Sequence, residues 1–361
     1  MNGMGRQSTS LFYQNPKALL SRSLVQRFLT ELLLHFTDEM GISDILSSIG
    51  RFTERKAVEV LAQDLGYVVK DRTRKRMIGL LLHFLSECGQ LREEDGTFTW
   101  CDNGVLESGL LDQESETARE VFKGQVDFFE RCLCHADGFL KGAPPLYRFD
   151  DTMAWAWEEF LADAEFTFAR SLLVKLLFMG RHQNLRVLDL CYGPGFGLLH
   201  IQEHSPHSEL IAVDHKNIFH HYASCKVPNP YAITWVDSGI WKGFGSPLPF
   251  PDNVFDIVFF TCADPYIPPE LRKYVYGDIF RVLHCGGSLG ILSHSYPDTA
   301  GEYVRDPWMR RGIFCHDFSE SVCKGWNGFY DAQESIDLFH AVGFKLSTLM
   351  LNASLWRLDK L

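Results

Sequence analysis

The sequence predicts an α/β protein in which a mainly α-helical region precedes a C-terminal, doubly wound, mostly parallel sheet. Three observations carry this. Apolar residues recur at helical spacing through the first half, as in Leu20, Leu24, Phe28 and Leu32. From Arg186 onward the rhythm changes to short apolar runs spaced by loops and helices: Val187–Leu190, Leu210–Val213, Ala232–Trp235, Phe255–Phe260 and Ser288–Leu292. A glycine-rich turn, Gly193-Pro194-Gly195-Phe196-Gly197, joins the first run to a helical segment.

The bulk properties narrow the classes. With 361 residues, 46% of them apolar and 22% charged, the chain can bury a sizeable core and divides into about two domains. No run approaches the roughly 20 apolar residues that cross a bilayer, so no membrane partner is expected. The net charge of -11 disfavours nucleic acid as a partner. Ten cysteines without framework spacing fit a reducing, cytoplasmic setting. Arg6, Ser8, Ser10, Arg22 and Arg27, with no acid before Glu31, leave an organellar address open as the alternative. Cys132, Cys134 and His135 lie too close together for a usual metal pair, so no metal is expected.

Four segments follow from the pattern. Residues 1–16 read as a mobile arm. Residues 17–112 form a helical, winged-helix-like domain: Leu19–Phe36, Ile42–Ile49, a helix capped by Thr53 and running through Leu65, then Lys75–Cys88 stopped by Gly89. Gln90–Cys101 turns back at Asp95-Gly96 as a hairpin. Lys70, Arg72, Arg74, Lys75 and Arg76 make a basic cluster before it, but Glu93, Glu94 and Asp95 oppose a DNA-reading role, and a solvated face or an interaction surface is the preferred reading. Residues 113–180 read as a helical linker and a lid over a substrate cleft, with helices at Glu114–Cys134 and Thr152–Leu177. The aromatic stripe of the second (Trp155, Trp157, Phe160, Phe166, Phe168) most often means packing. Residues 181–361 form the sheet domain.

Chemistry concentrates at the carboxyl ends of the strands. The turn after Val187-Leu188-Asp189-Leu190 lets backbone approach a ligand closely because glycine has no Cβ. A dinucleotide loop needs a third glycine where Leu198 stands, and Asp189 would set a negative charge near a pyrophosphate, which disfavours an NAD(P)-dependent oxidoreductase. An acid there suits a ligand with a cationic head. Asp214 ends the second strand, placed to accept from two ribose hydroxyls, and Asp237 with Ser238 ends the third, suited to an adenine amine. Each acid alone could be a cap or a solvated loop residue; three after three successive strands point to one nucleoside site.

Taken together these stretches resemble the class I S-adenosylmethionine-dependent methyltransferases: Asp189–Gly197, Ala212-Val213-Asp214-His215, Leu248–Val258, Arg281–Leu289 and the ending Leu338–Phe344. The resemblance covers Arg186 to the C-terminus and implies a Rossmann-like, seven-stranded sheet and S-adenosylmethionine as cofactor. It places Asp189, Cys191, Tyr192, Gly193, Gly195, Asp214, His215, Asp237, Ser238, Thr261 and Cys262 around that cofactor. The N-terminal half, notably Met77–Thr99, is more loosely similar to the dimerisation region of small-molecule O-methyltransferases, which implies a homodimer acting on a small-molecule acceptor.

Three departures stand out. Cys191 occupies the family's usual glycine two places after the acid. Cys285 replaces a linking proline before Gly286-Gly287. After the fourth strand, where plant-type O-methyltransferases carry a His-Asp-Trp with a basic histidine, this chain reads Thr261-Cys262-Ala263-Asp264-Pro265-Tyr266. The usual base is missing. A hydroxyl acceptor needs one, a thioether does not, and an amine has only to arrive neutral. Asp264 and His294, both after strands at the ligand edge, are the candidate bases; His316 and Tyr330 are weaker ones. Packing is the default reading of Cys262, with the transfer pocket as the other. A different-class alternative is a non-catalytic regulator, a winged helix joined to a ligand-sensing domain.

Overall fold

The computed structural model describes residues 22–101, 112–148, 150, 153–181, 184–298 and 300–361. The arm expected over residues 1–16 lies outside them. Contacts divide the described residues into two compact units, one drawn from 150–304 and 327–361, the other from 22–148 and 305–326.

The helical unit opens with α1 (Arg22–Glu39), α2 (Ile42–Ser48), β1 (Arg51–Thr53), α3 (Glu54–Leu65) and α4 (Arg72–Glu87). The starts follow from capping: Thr53 accepts from the Lys56 amide, and Asp71 accepts from the Arg74 amide at 2.9 Å. Strands β2 (Leu91–Glu94) and β3 (Thr97–Trp100) form the expected hairpin, with Asp95 and Gly96 both at positive φ (49° and 70°) as a primed turn requires. β1 pairs with β3, giving a three-stranded antiparallel sheet. Helices α5 (Asp112–Val121) and α6 (Lys123–Leu140) replace the single helix expected from Glu114. The basic cluster is partly internal. Arg74 pairs with Asp71 and donates to the Phe139 and Ala143 carbonyls, while Arg76 pairs with Asp317. Lys70, Arg72 and Lys75 are exposed.

The sheet unit begins with α7 (Ala154–Leu161) and α8 (Ala164–Phe178). One helix was expected here; the chain breaks at Ala162-Asp163, and the break folds Phe160 and Phe166 against each other at 5.1 Å. Trp157, Phe160 and Phe166 are buried, so most of the aromatic stripe is core, while Trp155 is exposed. Then come β4 (Arg186–Leu190), α9 (Phe196–His204), β5 (Glu209–Val213), α10 (His220–Lys226), β6 (Ile233–Trp235), β7 (Phe255–Thr261), α11 (Arg272–Val282), β8 (Leu283–Leu292) and β9 (Ser295–Tyr296). The chain next contributes α12 (Pro307–Glu320) to the helical unit. It returns with β10 (Tyr330–Asp331), α13 (Ala332–Val342), β11 (Phe344–Met350) and β12 (Leu355–Lys360).

The large sheet has seven strands in the order β11-β12-β8-β7-β4-β5-β6, with β12 antiparallel to both of its neighbours and the others parallel. The near-continuous apolar runs of β4, β5 and β7 suit strands covered on both faces. From β4 the chain winds outward to β5 and β6, then crosses back to β7 on the other side. The order therefore reverses between β4 and β7, where open α/β sheets bind ligands.

The expected division needs correction on two counts. Residues 113–148 fall with the helical unit and 149–180 with the sheet unit rather than forming one linker and lid. Residues 305–326, placed in the sheet domain from sequence, belong to the helical unit, where α12 packs so closely that a Cβ on Gly312 would lie 1.7 Å from Gln26 Oε1. No local pattern announces such a return, because α12 is an ordinary capped helix whose destination is set by packing.

Candidate functional site

The site is built at the carboxyl ends of β4, β5, β7 and β8. Asp189 lies on β4 and is 1% exposed, deeper than a surface ligand contact would be. A Cβ on Gly197 would fall 2.4 Å from Asp189 Oδ2 and 2.9 Å from the Phe259 ring, so glycine there is what lets the start of α9 close over this carboxylate. Neither carboxylate oxygen makes a hydrogen bond of ordinary geometry. Burial pushes its pKa well above the usual carboxylate range, and Asp214 adds to this; Arg170 and the Leu198 amide pull the other way.

The turn that follows is held in glycine-like backbone. Cys191 sits at φ 59°, with its N–H donating to the Val213 carbonyl at 2.7 Å, a left-handed conformation that glycine adopts more readily than a residue with a side chain. Such a conformation costs a residue with a Cβ about 1–2 kcal/mol. Cys262, after β7, repeats the arrangement: φ 59°, its N–H donating to the Leu292 carbonyl at 2.7 Å. Gly193, at φ 50°, has open space where a Cβ would stand, and its N–H donates to Asp214 Oδ2 at 2.9 Å. Gly195 serves packing instead, since a Cβ there would lie 2.6 Å from Ala223 Cα on α10. Tyr192 is buried edge-on to Trp235, with ring centroids 5.3 Å apart.

Asp214 follows β5 and is half-buried. Its Oδ1 accepts from the His215 amide at 2.7 Å, and the Lys216 amide also faces the carboxylate, which keeps part of its lone-pair capacity open. Burial raises it to about 6, against the amides of Gly193, His215 and Lys216. His215 is exposed, and burial together with Lys216 and Lys242 lowers its pKa. Asp237 is exposed and caps its own turn, accepting from the Gly239 amide at 2.6 Å, with half-buried Ser238 beside it. Thr261 and Cys262 are half-buried at the β7 end.

The candidate bases part company. Asp264 is tied up in a buried network: Arg272 Nη2 donates to both its oxygens at 3.2 and 3.3 Å, and the Tyr276 hydroxyl donates to Oδ1 at 2.5 Å. Asp264 thus sits as the buried partner of Arg272 and Tyr276, a placement that favours a structural anion over the base expected from sequence. His294 is half-buried after β8, its Nδ1 2.7 Å from Ser354 Oγ and its ring edge-on to Phe329. Tyr330 donates to the Ile267 carbonyl, and the Arg272 guanidinium stacks on its ring at 3.6 Å. His316 lies in the helical unit, buried and 2.8 Å from Glu320 Oε2.

Sequence reasoning missed Arg170. It projects from α8, 2% exposed, donating to the Leu161 carbonyl at 2.7 Å and lying over the Phe166 and Phe196 rings. Burial lowers its pKa, while Cys262 and Asp189 pull it up. One arginine in an aromatic helix carries no motif, so nothing in the spacing marked it.

These residues fit S-adenosylmethionine. An orphaned carboxylate under the turn, open space at Gly193 and a carboxylate with spare lone pairs at the next strand end suit a cationic, ribose-bearing ligand. Among the described residues no group of three or more His, Cys, Asp or Glu side chains is placed to hold a metal, and no helix is long and apolar enough to cross a membrane.

Comparison with known proteins agrees with this geometry. Residues 187–287 match the family model described as a methyltransferase domain. Over 106 residues the chain is 32% identical to the sterol 24-C-methyltransferase ERG6A of Gibberella zeae, a match covering 29% of this chain and 26% of that protein, so the chain spans about a quarter of its relative. Among solved structures, the CurJ carbon methyltransferase shares the fold with a TM-score of 0.60 at 14% identity, over 99% of this chain and 98% of that one. The carbon methyltransferase domain of the citrinin polyketide synthase gives 0.60 at 14% identity, over 98% and 90%. An O-methyltransferase family 2 protein from Planctomyces limnophilus, solved with apigenin, gives 0.56 at 14%, over 95% of both chains. At these identities the likeness speaks for the fold.

Proposed function

We propose that this chain, which carries a class I S-adenosylmethionine-dependent methyltransferase domain, moves the methyl group to a small-molecule acceptor and works as a homodimer. The observation that carries the reading is the pairing of Gly193 and Asp214 across the ends of β4 and β5. An open backbone turn there faces a carboxylate with lone pairs to spare.

When bound, the cofactor would supply a methyl on a positively charged sulfur; the acceptor lone pair would form the new bond by in-line displacement and sulfur would keep the old pair. Asp214 accepts from the ribose hydroxyls, and Asp237 with Ser238 from the adenine amine. Asp189 lies beneath the turn, with Cys191, Tyr192, His215, Thr261 and Cys262 lining the crevice. His294 removes the acceptor proton where there is one: with Nδ1 engaged by Ser354, Nε2 is the nitrogen assigned to that step. A cytoplasmic setting belongs to the same reading.

The acceptor atom is oxygen, sulfur, nitrogen or carbon, and the carbon methyltransferases of like fold make a carbon acid one compound to assay. Mass spectrometry of the protein from its source, searching for retained S-adenosylhomocysteine and co-purified acceptor, narrows the choice. The cofactor site is tested by calorimetry. Asp214→Ala should weaken S-adenosylhomocysteine by at least about 100-fold, since two hydrogen bonds to a charged group are lost at about 1.5–3 kcal/mol each. Unchanged affinity would remove the ribose assignment.

A further inference from the structure

Behind the end of β8 the sheet unit holds a polar assembly that the methyl-transfer reading leaves unused. Asp264, Arg272, Tyr276 and Tyr330 converge with His294, Ser293, Ser295 and Ser335 on a cavity of about 10 Å³, room for about one water. The side chains of Arg272 and Asp264 are each 7% exposed. Arg272 also donates to Ser335 Oγ at 3.3 Å, while its Nε is buried with no acceptor. Burying two charges is expensive, and apolar residues of similar volume often serve stability as well. The pair invites an explanation beyond packing, and its position supplies one: His294 lines the same cavity.

We propose that the Asp264–Arg272 pair is the positioning element of His294. As an ion pair with no net charge it sets the field at the imidazole, and through Arg272 Nε it holds a water that fills the cavity beside the ring. The titratable and charged groups on that cavity are Asp264 after β7, Arg272 and Tyr276 on α11, and Tyr330 on β10; Ser354 and the Phe329 ring also contact the imidazole. Asp264 and Arg272 form the ion pair among these, and the balance of the two acts on the His294 ring. This role gives the buried ion pair a catalytic purpose only if His294 accepts a proton, as proposed above.

The balance makes predictions of opposite sign. Asp264→Asn leaves the guanidinium uncompensated and should lower the His294 pKa. Arg272→Gln leaves the carboxylate and should raise it, each by on the order of one unit across a few ångströms of interior. The double variant should return close to the native value, and Arg272→Lys, which keeps the charge, should shift it least among the single variants. The measurement is an NMR titration of the full chain labelled at histidine, with S-adenosylhomocysteine bound and the resonance assigned through His294→Gln. Singles that move the pKa in the same direction, as a loosened fold would, or a double variant that moves it further than either, overturn the proposal. So does a pKa unchanged in every variant. The titration needs no acceptor. Failure of S-adenosylhomocysteine to bind in calorimetry would sink the function while the coupling, titrated without it, still stood or fell alone.

Discussion

Two edges of one sheet make an instructive contrast. At the β4–β5 edge, the groups that meet come from a single strand–turn–helix–strand stretch, from Asp189 to His215. At the β7–β8 edge, Asp264, Arg272, His294, Tyr330 and Ser354 arrive from five separate segments. The first edge is held by backbone conformation and by glycines that admit close approach. The second is held by a buried ion pair and a histidine on a serine. The part of the proposed cofactor site at the first edge is therefore written locally, whereas the proton handling proposed for His294 would be assembled from a distance.

Four perturbations sharpen or break the contrast. The largest effect is expected at the assembled edge. His294→Gln should lower turnover by about 10²–10⁴ with an acceptor that must lose a proton, while leaving cofactor affinity within about twofold. Equal turnover with such an acceptor would exclude His294 as the base.

Next comes Gly197→Ala, where the new methyl meets Asp189 and Phe259. A loss of about 1–3 kcal/mol in denaturant unfolding is expected, and no loss would mean that the turn does not close over Asp189 as described.

The third is a pH dependence. Asp214, raised to about 6, accepts ribose hydroxyls best when ionised, so S-adenosylhomocysteine affinity should fall as pH drops below about 6, approaching tenfold per unit. The sign for stability is the reverse. Between the ordinary carboxylate value and about 6 the folded chain keeps a proton that the unfolded chain releases, so this group's contribution declines as pH rises through that window. Affinity that stays flat down to pH 5 in titration calorimetry would remove Asp214 from the contact.

The smallest effect is at Cys191. Relief of its backbone strain by Cys191→Gly, set against the added freedom of the unfolded chain, should stabilise by on the order of 0.5 kcal/mol and raise the melting temperature slightly. A lower melting temperature would make the thiol a packing group that outweighs the strain.

Legibility followed the same divide. The strands, the Thr53 cap, the Asp95-Gly96 turn and the succession of acids all stand within a few residues of the pattern that marks them. Gly195 was legible as part of a turn, but its reason, the approach of Ala223, was not. Asp264 read as a base because it follows a strand, and only the side chains of Arg272 and Tyr276, brought in by α11, turn it into an anchored anion.

The amino-acid order by itself determined where strands and helices begin, which face of each is apolar, and that a glycine-bearing turn follows a strand-end acid; these depend on neighbours in the chain. Tertiary structure alone decided that α12 returns to the helical unit, that Arg170 comes within electrostatic reach of Asp189, and that an ion pair shares a cavity with His294. Those depend on distances between residues far apart in sequence, which packing sets and no local spacing records.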